Sequence, residues 1–195
     1  MHITIEFACV ARRNDSNKTA LLVVDVQAGI MDGRTAYGKW PLVLEQIGLL
    51  IARAKTAGAP VIFVQHDGEA GDRLEPGTKG WKLHPELDTS GATAIVRKTA
   101  SDSFYETALE RELDARGIGT LVVVGCMTQN CVDSTCRRAV SLGYDVVLAR
   151  DAHATADTPI LKASLIIAHH NATLDGLNAG DAEIAVRETN EILFG

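Results

Sequence analysis

Three residues far apart in the chain carry the types needed for nucleophilic chemistry. Asp25 ends the apolar run Leu21-Leu22-Val23-Val24, Lys98 follows the run beginning at Thr93, and Cys131 closes the stretch Gly125-Cys126-Met127-Thr128-Gln129-Asn130-Cys131. A cysteine at the start of a helix gains thiolate character from unsatisfied N–H groups and the helix dipole, and a nearby ammonium lowers its pKa further. An aspartate within reach accepts the thiol proton or orients the lysine, so the set reads as an activated nucleophile. The N–H of Cys131 and one from the preceding turn would stabilise an oxyanion. Taken singly, each residue also has a plainer reading: Cys131 as a buried structural cysteine, Asp25 as a turn cap, Lys98 as a solvated cation. The signal is their shared location at the ends of apolar runs, because open parallel sheets bind ligands at the carboxyl ends of their strands.

The elements that would position them alternate along the chain. Leu21–Val24, Val61–Val64, Thr93–Val96, Leu121–Val124, Val146–Ala149 and Ile184–Val186 read as strands, most of them continuous apolar runs suited to burial on both faces. Between them, helical periodicity starts at Pro41, near Ser103 and near Cys131, with Gly58, Gly117 and Gly143 as stops. Thr158-Pro159 reads as an N-cap followed by proline at the first helical position. This predicts an α/β three-layer sandwich, a mostly parallel six-stranded sheet with helices on both faces. From His66 to Leu87 periodicity is lost among glycines, prolines and mixed charges, and a loop of that length implies a binding role. Residues 1–18 read as an N-terminal extension or edge strand, with Ile3, Ile5 and Phe7 alternating, and residues 19–195 as the main domain.

The chain has 195 residues, 46% of them apolar, with 19 basic and 25 acidic side chains for a net charge of −6. These values fit a globular domain able to bury its own core and exclude a disordered or fibrous chain. The acidic excess argues against a nucleic-acid binder relying on phosphate attraction. No apolar stretch is long enough to predict a membrane span, and none has the form of a signal peptide. The four cysteines, at 9, 126, 131 and 136, match neither a CxxC redox pair nor a zinc spacing. Free thiols in a reducing, cytoplasmic setting are the expectation.

The segments Leu22-Val23-Val24-Asp25-Val26-Gln27, Lys98 through Ser103-Phe104, Gly125 through Val132, and Gly143-Tyr144-Asp145-Val146 leading to Asp151-Ala152 together resemble the isochorismatase-like cysteine hydrolases, over about residues 19–187. The resemblance implies a catalytic triad of Asp25, Lys98 and Cys131. It also implies a cis peptide at Cys126–Met127 that turns the Met127 N–H toward the site, so that Met127 and Cys131 form the oxyanion hole. The implied reaction is hydrolysis of a small-molecule amide through an acyl-enzyme, without a cofactor, in a homo-oligomer with no nucleic-acid or membrane partner. Nicotinamidases in this superfamily carry an Asp-x-His pair that binds metal. Here the segment is Gln65-His66-Asp67-Gly68, so no metal is expected, and His66, Asp67 and His84 remain only as an improvised set.

Gln27, His66, Trp81 and Phe104 are the candidate substrate-binding residues, each with a structural alternative: a turn amide, a pocket-edge hydrogen-bonder, satellite packing and core packing respectively. Thr128 and Asn130 are expected to hold the nucleophile turn, Cys126 and Cys136 to pack, and Asp151 with His153 to form a local pair. His169 and His170 are expected to be structural. Other functions stay open at this point: a thiol redox protein pairing Cys131 with Cys126, an ether hydrolase of the isochorismatase type, and a non-catalytic oligomeric binding protein on the same fold.

Overall fold

The computed structural model describes residues 16, 18–31 and 40–194. The alternating segment Ile3–Phe7, Cys9 and most of the polar stretch that follows lie outside the described residues.

Apolar side chains alternate to both faces of the strands and find helices on each. The strands are β1 (Thr19–Val24), β2 (Val61–His66), β3 (Ala94–Lys98), β4 (Thr120–Cys126), β5 (Asp145–Ala154), β6 (Asn178–Ala179) and β7 (Ala182–Arg187). The helices are α1 (Ala28–Met31), α2 (Trp40–Thr56), α3 (Leu109–Asp114), α4 (Asp133–Ser141) and α5 (Ala163–Leu174). Leu21, Val23 and Phe63 pack with Val43, Ile47, Leu50 and Ile51 of α2 in one layer. Ala20, Leu22 and Val24 pack with Leu109 and Leu113 of α3 and Cys136, Ala139 and Val140 of α4 in the other. Such near-continuous apolar strands are what burial on both faces of a parallel sheet requires.

Among the described residues the sheet has seven strands in the order β3-β2-β1-β4-β5-β7-β6, one more than the sequence predicts. All neighbours run parallel except β6 and β7, which are antiparallel. The additional strand, β6, is two residues long, too short for a period of two to register. The order reverses between β1 and β4, and that switch point is where the turn carrying Cys131 leaves the sheet.

Two helix starts differ from expectation. The predicted helix near Ser103 begins only at Leu109, because Glu106 sits at a φ of 53° in the left-handed region and interrupts the preceding turns. α5 begins at Ala163, not after Thr158. The Asp157 carboxylate accepts the Ala163 N–H (2.8 Å), while Thr158 closes a separate turn onto the Leu161 carbonyl.

The long segment after β2 contains no helix, as predicted, yet it is anchored through its main chain. Ala28 and Gly29 donate to the carbonyls of Lys82 and Gly80 (2.9 and 2.8 Å), and His84 donates to Val26 (2.9 Å). Gly29 allows this approach, since a Cβ on it would lie 2.9 Å from the Gly80 Cα, and Gly80 in turn packs on the Arg73 carbonyl oxygen, 2.2 Å from where its own Cβ would stand.

Candidate active site

The carboxyl ends of β1, β3 and β4 deliver the three chemically suggestive side chains to one place. Asp25 follows β1 at a φ of 50°, a left-handed conformation that aspartate tolerates better than most residues. Its N–H donates to Val64 (3.0 Å), which fixes the turn against β2. Lys98 ends β3 and reaches across β2, placing Nζ 2.7 Å from Asp25 Oδ2 with both side chains fully buried. Nζ also donates to the carbonyls of Ala100 (2.8 Å) and Ser101 (3.3 Å). The ammonium is thus gripped from one side by main-chain oxygens and faces the carboxylate on the other.

Cys131 lies in a single π-helical turn, Thr128–Val132, that runs directly into α4. Its thiol is close enough to interact with both Asp25 and Lys98. The Asp25 carboxylate is thus held by the Lys98 ammonium on one side and lies within hydrogen-bond reach of the Cys131 thiol on the other. The peptide bond between Cys126 and Met127 is cis. The Met127 carbonyl accepts the N–H groups of Asn130 (3.0 Å) and Val132 (3.3 Å), which ties the turn on either side of Cys131.

The electrostatics correct one expectation. Cys131 was expected to favour its thiolate, but burial, reinforced by the Asp25 charge, pushes its pKa from 9.0 up to about 11, and Lys98 offsets only part of this. Burial likewise raises the Asp25 carboxyl, with Lys98 opposing. At neutral pH Cys131 is therefore held as a thiol beside the Asp25 carboxyl. Alkylation of Cys131 by iodoacetamide, followed by peptide mass mapping, is expected to keep rising between pH 9 and about 11 instead of levelling near 9.

The remaining candidates divide by placement. Gln27 is fully buried and spends its amide on main chain: Nε2 donates to His66 O (3.0 Å) and Trp81 O (2.7 Å), and Oε1 accepts the His66 N–H (2.9 Å). It braces the loop wall. His66 is half-buried beside Asp25, and its Nδ1 has no partner among the described residues. Trp81 donates from Nε1 to Asp67 Oδ1 (2.7 Å) beneath the Arg97 guanidinium, which lies 5.1 Å over the ring and pairs with Asp67 at 2.7 Å. Phe104 is buried and stacked on Tyr144 with ring centroids 5.8 Å apart. An open cleft of about 880 Å³ runs from His66 and Thr99 along Asp67, Glu69, Asp72 and Arg73.

No group of three or more histidine, cysteine or acidic side chains is placed to hold a metal among the described residues, and the Asp67 carboxylate is already engaged by Trp81 and Arg97. Cys126, Cys131 and Cys136 are free thiols. Cys126 packs in the layer beneath α2, whereas Cys131 packs against the opposite layer, an arrangement that suits structural use of Cys126.

Sequence reasoning missed a buried relay behind the nucleophile turn. His153 does not pair with Asp151, whose carboxylate instead accepts the Thr189 N–H (3.0 Å) and hydroxyl (2.7 Å). His153 Nδ1 lies 2.9 Å from Thr128 Oγ1, and Nε2 lies 2.8 Å from Asn171 Oδ1. Burial lowers the His153 pKa from 6.5 to about 4. A histidine kept neutral in the fold contributes stability that is full above pH 6.5 and is lost as pH falls through about 4. Urea unfolding should show this group's contribution, about 3 kcal/mol, fading over that window.

Residues 19–174 match the isochorismatase domain model. The chain belongs to the isochorismatase family. A streptothricin hydrolase from Streptomyces noursei is 45% identical over 140 residues, covering 72% of this chain and 51% of that protein. The chain thus spans about half the length of the streptothricin hydrolases that it matches. The isochorismatase family protein YddQ of Bacillus subtilis is 31% identical over 174 residues, covering 87% of this chain and 97% of YddQ. A crystal structure of an isochorismatase family protein superposes with a TM-score of 0.78 at 34% identity, covering 91% of this chain and 99% of that one. Among the described residues no helix is long and apolar enough to cross a membrane.

Proposed function

We propose that this isochorismatase-family chain is a cysteine hydrolase that cleaves the C–N bond of a small amide. The observation that carries the reading is the fully buried Asp25–Lys98 ion pair, 2.7 Å long, beside the Cys131 thiol at the sheet's switch point. Two opposite charges are costly to bury for structure alone, whereas a carboxylate within hydrogen-bond reach of a thiol is equipped to move a proton. The amide chemistry is supported by the similarity to the ureidoacrylate amidohydrolase RutB of Variovorax paradoxus, 29% identical over 187 residues.

In the proposed sequence the Cys131 proton passes to Asp25 as sulfur attacks the carbonyl carbon. The carbonyl π pair moves onto oxygen, which faces the N–H groups of Met127 and Cys131. The tetrahedral species collapses, the C–N bond breaks, and the proton on Asp25 goes to the departing nitrogen. A thioester and a free amine result. Water then attacks the thioester, giving one proton to Asp25, and the proton returns to sulfur as the acid leaves. Lys98, gripped by two carbonyls, balances the charge of the pair and stays in place. The cleft beside His66 supplies room for the part of the substrate beyond the reacting amide.

The test is a panel of small amides and carbamates, with amine release followed in solution and the protein quenched for intact mass. Amine release together with an acyl adduct mapped to Cys131 is the expected result. If no member of the panel releases amine or leaves an adduct while iodoacetamide still labels Cys131, the reading fails.

A further inference from the structure

The relay behind the nucleophile turn has a direction that its own chemistry fixes. Asn171 Nδ2 lies 3.2 Å from the Arg150 carbonyl, an acceptor that only an NH₂ group can serve. Asn171 therefore turns Oδ1 toward His153, and Nε2 of the ring, 2.8 Å away, carries the hydrogen. With Nε2 protonated in a neutral ring, Nδ1 is a lone-pair acceptor, and the Thr128 hydroxyl donates to it over 2.9 Å. The three hydrogen bonds therefore run in one consistent sense, and Thr128 and His153 are 0% and 1% exposed. Thr128 is the first residue of the turn that carries Cys131 and directly follows Met127. His153 stands on β5 opposite Gly125, where β4 ends, and Asn171 lies on α5.

We propose that His153 is a positioning residue: its neutral Nδ1, set by Asn171, holds the Thr128 hydroxyl and with it the turn that aims the Cys131 thiol at Asp25. Without that acceptor, the buried Thr128 hydroxyl is left unsatisfied unless the turn that carries it shifts toward another partner. The proposal rests on the hydrolase reading for its effect on turnover. It can be read independently through the thiol.

The substitutions separate the two ring nitrogens. Thr128→Val removes the hydroxyl at almost constant shape. His153→Gln offers an amide nitrogen near the former Nε2 but no acceptor at Nδ1, whereas His153→Asn offers an acceptor near Nδ1. Thr128→Ser keeps the hydroxyl. With an amide from the panel, Thr128→Val and His153→Gln are expected to lower kcat about 10- to 100-fold, the scale of a misaimed reacting group, with KM within about threefold. The pH midpoint of Cys131 alkylation should move from about 11 toward the ordinary 9 in both. Thr128→Ser and His153→Asn should restore both readouts to within about threefold of the parent, and the double variant Thr128→Val with His153→Gln should be no worse than either alone, the mark of one shared interaction.

Unchanged alkylation midpoints in Thr128→Val, or kcat losses that multiply in the double variant, would overturn the proposal. So would equal defects in His153→Asn and His153→Gln. If His153→Gln does not fold, Thr128→Val against Thr128→Ser decides. If no amide is turned over, the hydrolase reading fails while the alkylation profiles still judge the positioning role.

Discussion

Cys131→Ala is expected to reduce amide hydrolysis at least about 10³-fold while leaving the fold intact. The loss is large because no neighbouring group can substitute for sulfur. Cys126 is fully buried in the opposite core layer, and the Thr128 hydroxyl is committed to His153. The structural cost is small because the thiol is at the edge of the packing and not at its centre, so the variant leaves little cavity. The Asp25–Lys98 pair keeps its 2.7 Å contact and its main-chain supports. Cys131→Ser should be nearly as inactive, since an alcohol is far harder to ionise than a thiol beside the same base. The measurement is kcat/KM on an amide from the panel alongside a thermal melt. Retention of more than about a tenth of the activity in Cys131→Ala would remove the nucleophile from the mechanism.

Gly125→Ala is expected to be the most damaging glycine-to-alanine change among the described residues. A Cβ at Gly125 would lie 2.0 Å from the Val24 carbonyl oxygen and 2.8 and 2.9 Å from the Val24 nitrogen and carbonyl carbon. All three are main-chain atoms, so no side chain can swing aside. The residue also has a φ of 120°, where side chains are strained whatever the space. Val24 and Gly125 are the last paired residues of β1 and β4, immediately before Asp25 and the nucleophile turn. Relief would require prising apart the two central strands between both core layers. The expected loss is about 4–5 kcal/mol or more, visible as a collapse of the urea midpoint or as failure to recover folded protein. Any folded fraction should also be inactive, because the same displacement separates Asp25 from Cys131. An unchanged midpoint would contradict the close approach of these strands.

What the sequence made legible follows from which forces are local. The runs at β1, β2 and β4 could be read as strands because burial on both faces leaves uninterrupted apolar stretches. Asp25, Lys98 and Cys131 stood out because strand ends in a parallel sheet converge at its carboxyl edge, and the structure brings them together. The direction of the Cys131 shift was not legible. A lysine and a helix start are visible in a string of letters, but the depth at which a thiol is buried is not. The Thr128–His153–Asn171 relay joins residues 25 and 18 positions apart on three elements, so spacing offered no trace of it. Asp151 and His153 suggested a pair by proximity in the chain, yet each is committed to other partners, Asp151 to Thr189 and His153 to Thr128 and Asn171. Glu106 and Asp157 set helix starts through a backbone angle and a carboxylate reaching six residues ahead, neither of which periodicity encodes.

The manner in which the segment after β2 is fastened has an evolutionary corollary. Its joins to Val26, Ala28 and Gly29 run through peptide groups that almost any residue possesses, and only a few glycines are sterically obligatory. Beyond Gln27, Gln65 and the Trp81–Asp67–Arg97 contact, side chains along that wall carry less of its support. Descendants of one ancestor can exchange them and drift toward differently shaped molecules while the scaffold beneath stays folded.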